Sequence, residues 1–153
     1  MRRSAAFWLS SQENRTAQLL LRVVSMTITS FRDLSVWQRS MVLTERIYAF
    51  TESFPRAEMY GLTAQLRRCA VSIPSNIAEG HARKTGHYLE HLDTASGSAA
   101  ELQTQLELVF RLKLADKRHV DPIMGEAEEI GRMLHGLAAS VAARAKRDSA
   151  TPP

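Results

Sequence analysis

The sequence predicts an all-α protein, an antiparallel up-down-up-down four-helix bundle whose second helix is kinked at Pro74. Three observations lead to this prediction. Four stretches of about 20 to 29 residues carry apolar side chains at helical spacing, no stretch between them alternates like a strand, and the links are short enough to join antiparallel neighbours. With 153 residues, 44% of them hydrophobic, the chain suffices for one well-buried core but not for two ordinary domains.

The first predicted helix opens after Ser30 or Asp33, both good N-cap residues, and runs to about Ser53. Its apolar residues form two stripes, although a surface helix needs only one. The first stripe comprises Val36, Leu43, Ile47, Phe50 and Phe54, and the second comprises Leu34, Trp37, Met41 and Tyr48. The second stripe indicates either contact with another copy of the chain, through Trp37 and Tyr48, or burial on two sides within one bundle. Periodicity alone leaves both alternatives open.

The second predicted helix runs from about Arg56 to about Gly80 and contains Pro74 in its interior. An interior proline removes one backbone hydrogen bond and clashes with the preceding turn, which costs roughly 3 kcal/mol. The apolar face continues on both sides of the proline, and this favours one continuous helix with a bend. Because Asn76 and Glu79 also spell a capping pair, a helix that breaks and restarts after Pro74 is the alternative.

The third and fourth predicted helices each carry one regular stripe of apolar residues, which we call the seam of the helix. The third runs from about His87 to Ala115 and contains six small residues at positions 95–100, which predict close approach of a neighbouring helix. The fourth has Asp121 as its predicted N-cap and Pro122 at its first helical position. Apolar residues recur at coiled-coil-like spacing along both helices, so each is expected to bury one stripe.

We predict one folded domain, the bundle over residues 26–147, between a terminal extension and a tail. Residues 148–153 form the predicted disordered tail, and residues 1–25 are expected to be either disordered or the product of an upstream, non-native start. The extension carries four arginines against one glutamate, so the net charge of +4 leaves only +1 for the rest of the chain. A basic surface on the bundle therefore requires clustering or repetition in an oligomer.

Composition also bears on location and on the class of protein. No apolar run approaches the ~18 residues that a membrane span needs. The single cysteine, Cys69, excludes an intramolecular disulfide framework and suits a reducing compartment, so we expect a cytoplasmic protein that does not bind membranes. No nucleophile elbow or phosphate-binding glycine-rich loop is present, and we expect neither enzymatic activity nor a cofactor.

One motif suggests a zinc hydrolase instead. His87, Glu90 and His91 spell H-x-x-E-H, a zinc-protease signature whose two histidines lie one helical turn apart. A catalytic site also needs a third ligand, for which the fourth helix offers Glu126, Glu128 and Glu129. Five letters are a weak match without a much larger fold around them, so we favour a solvated helix end without metal.

Basic residues provide the leading functional hypothesis. Arg67 and Arg68 lie together on the second helix, and Arg83 and Lys84 follow its end. Paired arginines suit phosphate contacts, which predicts association with RNA or another nucleic acid through these four residues. The alternatives are that these cations belong to ordinary solvated faces, and that the protein is an interaction or assembly scaffold with no nucleic-acid role.

Several ordered motifs resemble one known family. They are Phe31-Arg32-Asp33-Leu34, Val36-Trp37-Gln38, Phe54-Pro55, Tyr60-Gly61-Leu62-Thr63 with Gln65, Arg68 to Gly80, Gly97-Ser98, Glu101-Leu102 and Gln105-Leu106. At matching spacing over about residues 31–114, they closely resemble the 23S rRNA intervening-sequence proteins, a four-helix-bundle family. Two departures are Cys69, where the family has alanine, and residues 111–114, which replace a Leu-Gly-Tyr turn.

This resemblance implies a non-enzymatic, cytoplasmic bacterial protein that assembles into a ring, with a homo-pentamer as the expected form. Some members are encoded within insertions in 23S rRNA genes. A related branch supplies the accessory proteins of diversity-generating retroelements, which look like basic rings that bind nucleic acid and a reverse transcriptase. The near-neutral body of this chain differs from that branch, so a reverse transcriptase partner is expected only if the gene belongs to a retroelement.

Overall fold

A computed structural model of the protein describes residues 29–150, which are all-helical, with four helices and no strand. The helices are α1 (Ser35–Thr51), α2 (Leu62–His81), α3 (Thr85–Arg111) and α4 (Lys117–Ala150). Two short 3-10 turns, Phe31–Asp33 and Arg56–Glu58, precede α1 and α2. These elements confirm the predicted all-α, four-helix class. The predicted extension, residues 1–25, lies outside the described residues.

One apolar core joins the four helices. The predicted seam of α3 is buried along its whole length, and the α4 seam is buried from its start to Leu134. Buried members of these two seams include Leu92, Ala95, Ala99, Leu102, Leu106, Val109, Val120, Ile123, Ala127 and Ile130. Within residues 29–150, no helix combines the length and apolar character that crossing a membrane takes.

Contacts between consecutive helices run in opposite chain order. Thr44 of α1 contacts Ala70 of α2, whereas Thr51, further along α1, contacts Arg67, which lies earlier on α2. This order favours the predicted up-down-up-down connection. That connection and the bend at Pro74 stay predictions.

Two residues proposed as caps for the first helix act one turn earlier. The Ser30 backbone N–H donates to Asp33 Oδ2 at 2.9 Å, and the Arg32 N–H donates to Ser30 Oγ at 3.2 Å, so the pair caps the first 3-10 turn. α1 itself begins at Ser35 and has no side-chain cap.

The second apolar stripe of α1 is only partly buried within the protomer. Leu34 is buried and Trp37 is half-buried, but Met41 and Tyr48 are 36% and 44% exposed. Burial of this stripe on two sides within one bundle is therefore wrong, and its outer part is available to a partner.

α2 is continuous through Pro74, so the alternative in which the helix breaks and restarts there is also wrong. Pro74 leaves the carbonyl of Ala70 without its helical donor. The Thr44 hydroxyl of α1 lies 2.9 Å from that carbonyl and 2.8 Å from the Ser40 carbonyl, so its single hydrogen is shared between the two acceptors. A neighbouring helix thus satisfies the group that the proline frees, which offsets part of its cost.

The turn between α3 and α4 begins earlier than predicted, because α3 ends at Arg111 and not near Ala115. The Lys113 N–H donates to the Phe110 carbonyl and the Leu114 N–H donates to the Val109 carbonyl, both at 3.0 Å. This is a Schellman cap, and it requires a left-handed residue at position 113. Lys113 adopts a φ of 57°, a conformation that favours glycine.

The predicted start of the fourth helix is wrong. α4 begins at Lys117, and the Val120 N–H bonds to the Asp116 carbonyl at 3.2 Å, so Pro122 lies inside the helix and Asp121 does not cap it. The Asp-Pro pair resembled a helix start, but the helix begins directly after Asp116. Val120 therefore lies within the helix, where it is buried in the core. At its other end α4 continues to Ala150, so residues 148–150 of the predicted tail are helical; residues 151–153 lie outside the described part.

Candidate nucleic-acid interface

The two adjacent arginines of α2 have different surroundings. The Arg67 Nε donates to Thr51 Oγ1 at 2.9 Å, and its Nη2 approaches the Tyr48 carbonyl at 3.4 Å. Its guanidinium carbon also lies 4.6 Å from the centroid of the Tyr48 ring, a cation–π contact. These contacts join α2 to the last turn of α1, so Arg67 is largely engaged within the protomer.

Arg68 points to a pocket between α2 and α3 instead. We call this cavity of about 340 Å³ the α2/α3 pocket; it is lined by Gln65, Arg68, Cys69, Ser72, Ser98 and Glu101. Arg68 is exposed, and within residues 29–150 its side chain makes no hydrogen bond or ion pair. Of the four predicted cations, it is therefore one that is available to an anion.

Arg83 and Lys84 lie at the far end of α2, about 15 residues and ~22 Å of helix from Arg68. Both are exposed. Arg83 pairs with Glu79 at 3.2 Å, one turn back on the same helix, an exposed pair that contributes only about 0.3 to 0.5 kcal/mol. Lys84 immediately precedes α3, and its carbonyl accepts the Tyr88 N–H. The structure does not bring the four predicted residues into one cluster.

Trp37 and Tyr48, the predicted interface residues, lie on the outer side of the α1 and α2 pair. Trp37 packs edge-on against Phe31, with ring centroids 5.2 Å apart. Both rings line a mainly apolar groove between the helices, the α1/α2 groove, whose other walls include Met41, Val71, Pro74 and Ala78. Tyr48 lies beyond the groove, with the Arg67 guanidinium over its ring.

The two histidines of the H-x-x-E-H motif have different partners and do not face a common site. His87 Nδ1 lies 3.2 Å from Glu90 on the exposed start of α3, whereas His91 Nδ1 lies 3.0 Å from Asn76 Oδ1 on α2. Of the carboxylates considered as a third ligand, Glu126 pairs with Arg46 and Glu129 pairs with Arg39, both on α1. Among the described residues, no three His, Cys, Asp or Glu side chains form a group that could hold a metal ion.

A polar network between α2 and α3 was not identified from the sequence. Ser72 Oγ lies 2.8 Å from Ser98 Oγ, and Asn76 Nδ2 donates to Ser72 Oγ at 3.1 Å while Asn76 Oδ1 faces His91. The small residues of the third helix were the only signal, because they indicated that another helix comes close. They did not indicate which polar groups it would present.

A second buried polar contact lies behind the α2/α3 pocket. Gln105 is only 6% exposed, and its Nε2 donates to Glu101 Oε1 at 3.1 Å and to Cys69 Sγ at 3.3 Å. Burial raises the pKa of the Cys69 thiol to about 11, so at neutral pH this group is a neutral thiol and not a nucleophilic thiolate.

The fold and these sites describe a small helical bundle with a polar interhelical pocket and an apolar outer groove. The family model for the 23S rRNA-intervening sequence protein matches residues 32–136, and the chain belongs to this family. This confirms the resemblance predicted from the sequence motifs.

Comparison with solved structures shows the same fold. A crystal structure of a protein with unknown function from the S23 ribosomal protein family of Bacteroides thetaiotaomicron superposes with a TM-score of 0.61 at 23% sequence identity. The match covers 68% of this chain and 95% of that chain. No curated protein matches the sequence.

The different contacts of the two arginines predict different effects on stability. Arg67→Ala should lower the free energy of unfolding by about 1 to 2 kcal/mol, because Thr51 and Tyr48 lose a charged donor and a cation–π contact. Arg68→Ala is the matched control and should change it by less than about 0.5 kcal/mol. Urea denaturation followed by circular dichroism measures both. Equal losses in the two variants would contradict the assigned contacts.

Proposed function

We propose that this protein is a non-enzymatic helical bundle that assembles with copies of itself and associates with RNA through exposed cations of α2 and the turn after it. The observation that carries the proposal is the exposure of Arg68, Arg83 and Lys84 along one protomer of a family named for 23S rRNA. Arg67, the fourth predicted residue, contributes mainly by holding α2 against α1.

The positions of the cations suit contacts with a nucleic-acid backbone. Glu79 follows Arg68 on α2 by three helical turns plus about 20°, and Arg83, just beyond the helix, pairs with Glu79, so the two arginines lie on roughly the same side of α2. The exposed Glu79 pair restrains Arg83 only weakly, and a phosphate can replace it. Contacts of this kind tolerate many sequences and weaken steeply as salt concentration rises.

Self-assembly would strengthen this interaction. A net charge of about +1 outside the extension gives one protomer little attraction for RNA, but a ring repeats each cation in every subunit. The α1/α2 groove is the proposed contact surface, because Met41 and Val71 leave 36% and 40% of their surface exposed beside the Trp37 ring. A homo-pentamer is the expected form.

We further propose a cytoplasmic protein that works without a metal or cofactor. A reverse transcriptase is a candidate partner only if the gene lies in a retroelement.

A scaffold without any nucleic-acid role is the second candidate function, and it is favoured by the apolar α1/α2 groove and by the internal contacts of Arg67. The next experiment separates the two functions.

The double variant Arg68→Ala/Lys84→Ala should bind RNA more weakly. We expect about a tenfold loss in affinity for a labelled single-stranded RNA of about 16 nucleotides at low salt, and a shallower salt dependence. Arg56→Ala/Arg132→Ala is the control, since it removes two exposed arginines that have no side-chain partner within residues 29–150. Fluorescence anisotropy measures both. Absence of RNA binding by the unmodified protein would favour the scaffold, and equal losses in both variants would contradict the site.

If the chain assembles through the α1/α2 groove, a charge placed in the groove should dissociate the assembly and lower its mass in solution. Met41→Lys should shift the light-scattering mass from a multiple of the 17.1 kDa chain toward a single chain, because it puts an ammonium group among apolar walls. Val42→Lys is the control: Val42 is 53% exposed and lies outside the α1/α2 groove, in a separate pocket between α1 and α4. An unchanged mass for Met41→Lys, or a monomeric unmodified protein, would contradict this interface.

A further inference from the structure

We propose that the α2/α3 pocket binds an unpaired guanine base, with Glu101 accepting hydrogen bonds from its Watson–Crick edge and Arg68 donating to its carbonyl oxygen. The proposal rests on the RNA association proposed above and adds a base preference to it. It is carried by three features of the pocket, namely opposite charges that do not pair, hydroxyl groups whose hydrogens are already used, and a buried amide behind Glu101.

The first feature is the pair of charges. Arg68 from α2 and Glu101 from α3 line the same cavity, yet they form no ion pair, and Arg68 has no other acidic partner within the described residues. Opposite charges that face a shared cavity without touching favour a ligand that offers hydrogen-bond donors on one side and an acceptor on the other. A phosphate held inside the pocket would satisfy Arg68 but would be repelled by Glu101. Within RNA we therefore assign Arg68 to the base and the backbone contacts to Arg83 and Lys84.

The hydroxyl groups of the pocket form a chain with a defined direction. Ser98 Oγ lies 3.0 Å from the Thr94 carbonyl, to which it donates, and with its hydrogen used there the 2.8 Å contact with Ser72 is read as a donation from Ser72 to Ser98. Ser72 Oγ in turn accepts from Asn76 Nδ2, and Asn76 Oδ1 accepts from His91 Nδ1 at 3.0 Å. Both serines can therefore only accept a hydrogen bond from a ligand.

The third feature is the amide behind the carboxylate. Gln105 donates to Glu101 Oε1, while its own Oε1 is buried and has no partner within residues 29–150. A reversed amide would place this oxygen against the Glu101 carboxylate, so the orientation in which Nε2 donates is the favourable one. Gln105 is thus a positioning residue that donates to one lone pair of Glu101 Oε1, and the second lone pair of Oε1 together with Oε2 can accept the two donors of a ligand.

Among the four RNA bases, guanine matches this arrangement. Its Watson–Crick edge places two donors, N1–H and N2–H, side by side next to the O6 acceptor. Adenine and cytosine place a ring acceptor beside their amino group, and uracil has a single donor between two carbonyls, so each would set an acceptor against Glu101. The cavity of about 340 Å³ falls within the roughly 300 to 1,000 Å³ of small-molecule sites.

The guanine must be unpaired, because in a duplex its Watson–Crick edge is occupied by cytosine. A free guanine nucleotide presents the same edge, so the ligand has two sources that an experiment must separate. In RNA, Arg83 and Lys84 add backbone contacts that a mononucleotide cannot reach, since they lie ~22 Å along α2. A base in RNA should therefore bind much more tightly than the free nucleotide.

The test compares adenine-rich single-stranded RNAs of about 16 nucleotides that differ at one central position. This position carries guanosine, inosine or adenosine, and inosine lacks only the N2 amino group. With the full chain, the guanosine RNA should bind about tenfold more tightly than the inosine or adenosine RNA. In each of the latter two, the Glu101 carboxylate loses a hydrogen-bond donor of the base. Glu101→Gln should remove this preference without weakening binding of the adenosine RNA, whereas Glu128→Gln, an exposed control on α4, should keep it.

Each outcome decides between the proposals. Equal binding of the three RNAs by the unmodified protein would overturn the guanine pocket and leave the RNA association intact. No binding of any RNA, together with Glu101-dependent binding of guanosine monophosphate, would overturn the RNA association and assign the pocket to a free nucleotide. Binding of neither would overturn both. A guanosine preference that survives in Glu101→Gln would place the recognition elsewhere on the protein.

Discussion

The close approach of α2 and α3 is the constraint on which the rest of the structure depends. A Cβ atom added at Gly80 of α2 would lie 2.7 Å from Tyr88 and from His91 of α3, closer than such contacts normally occur. The same closeness brings Ser72 to Ser98 and Asn76 to His91, and it buries Ala95 and Ala99. The α2/α3 pocket exists because side chains at this seam are short, while Arg68 and Glu101 stand at its edge. α2 also carries the contacts to α1, so both the core and the proposed site are organised around it.

Most of the fold could be predicted from the sequence, because the apolar periodicity of four segments directly specifies what must be buried. Errors arose where local signals competed with the core. Pro122 resembled a helix start, but the helix begins at Lys117, and Val120, which lies within its first turn, is buried in the core. The carbonyl freed by Pro74 is satisfied by Thr44, a residue 26 positions from Ala70 that no local pattern connects to it.

The candidate site was harder to predict from the sequence, because it too depends on contacts between residues that are distant in the chain. Arg67 and Arg68 are adjacent and chemically identical, and the 100° turn between them decides that one contacts α1 while the other faces the α2/α3 pocket. A role for Gln105 and Glu101 could be inferred only once the fold had placed Cys69 and Arg68 opposite them. Residue types thus indicated a cationic surface, whereas the polar pocket depends on tertiary contacts that span about 30 residues of chain.

The most direct test of the α2–α3 constraint is the free energy of unfolding of Gly80→Ala, compared with that of Gly125→Ala. Nothing lies within 4 Å of a Cβ atom at Gly125, so alanine there should stabilise α4 by about 0.5 to 1 kcal/mol. At Gly80 the added methyl group must displace Tyr88 and His91, and we expect a loss of about 1 to 3 kcal/mol despite the better helix propensity. A gain in stability at Gly80 equal to that at Gly125 would contradict the close packing of α2 on α3.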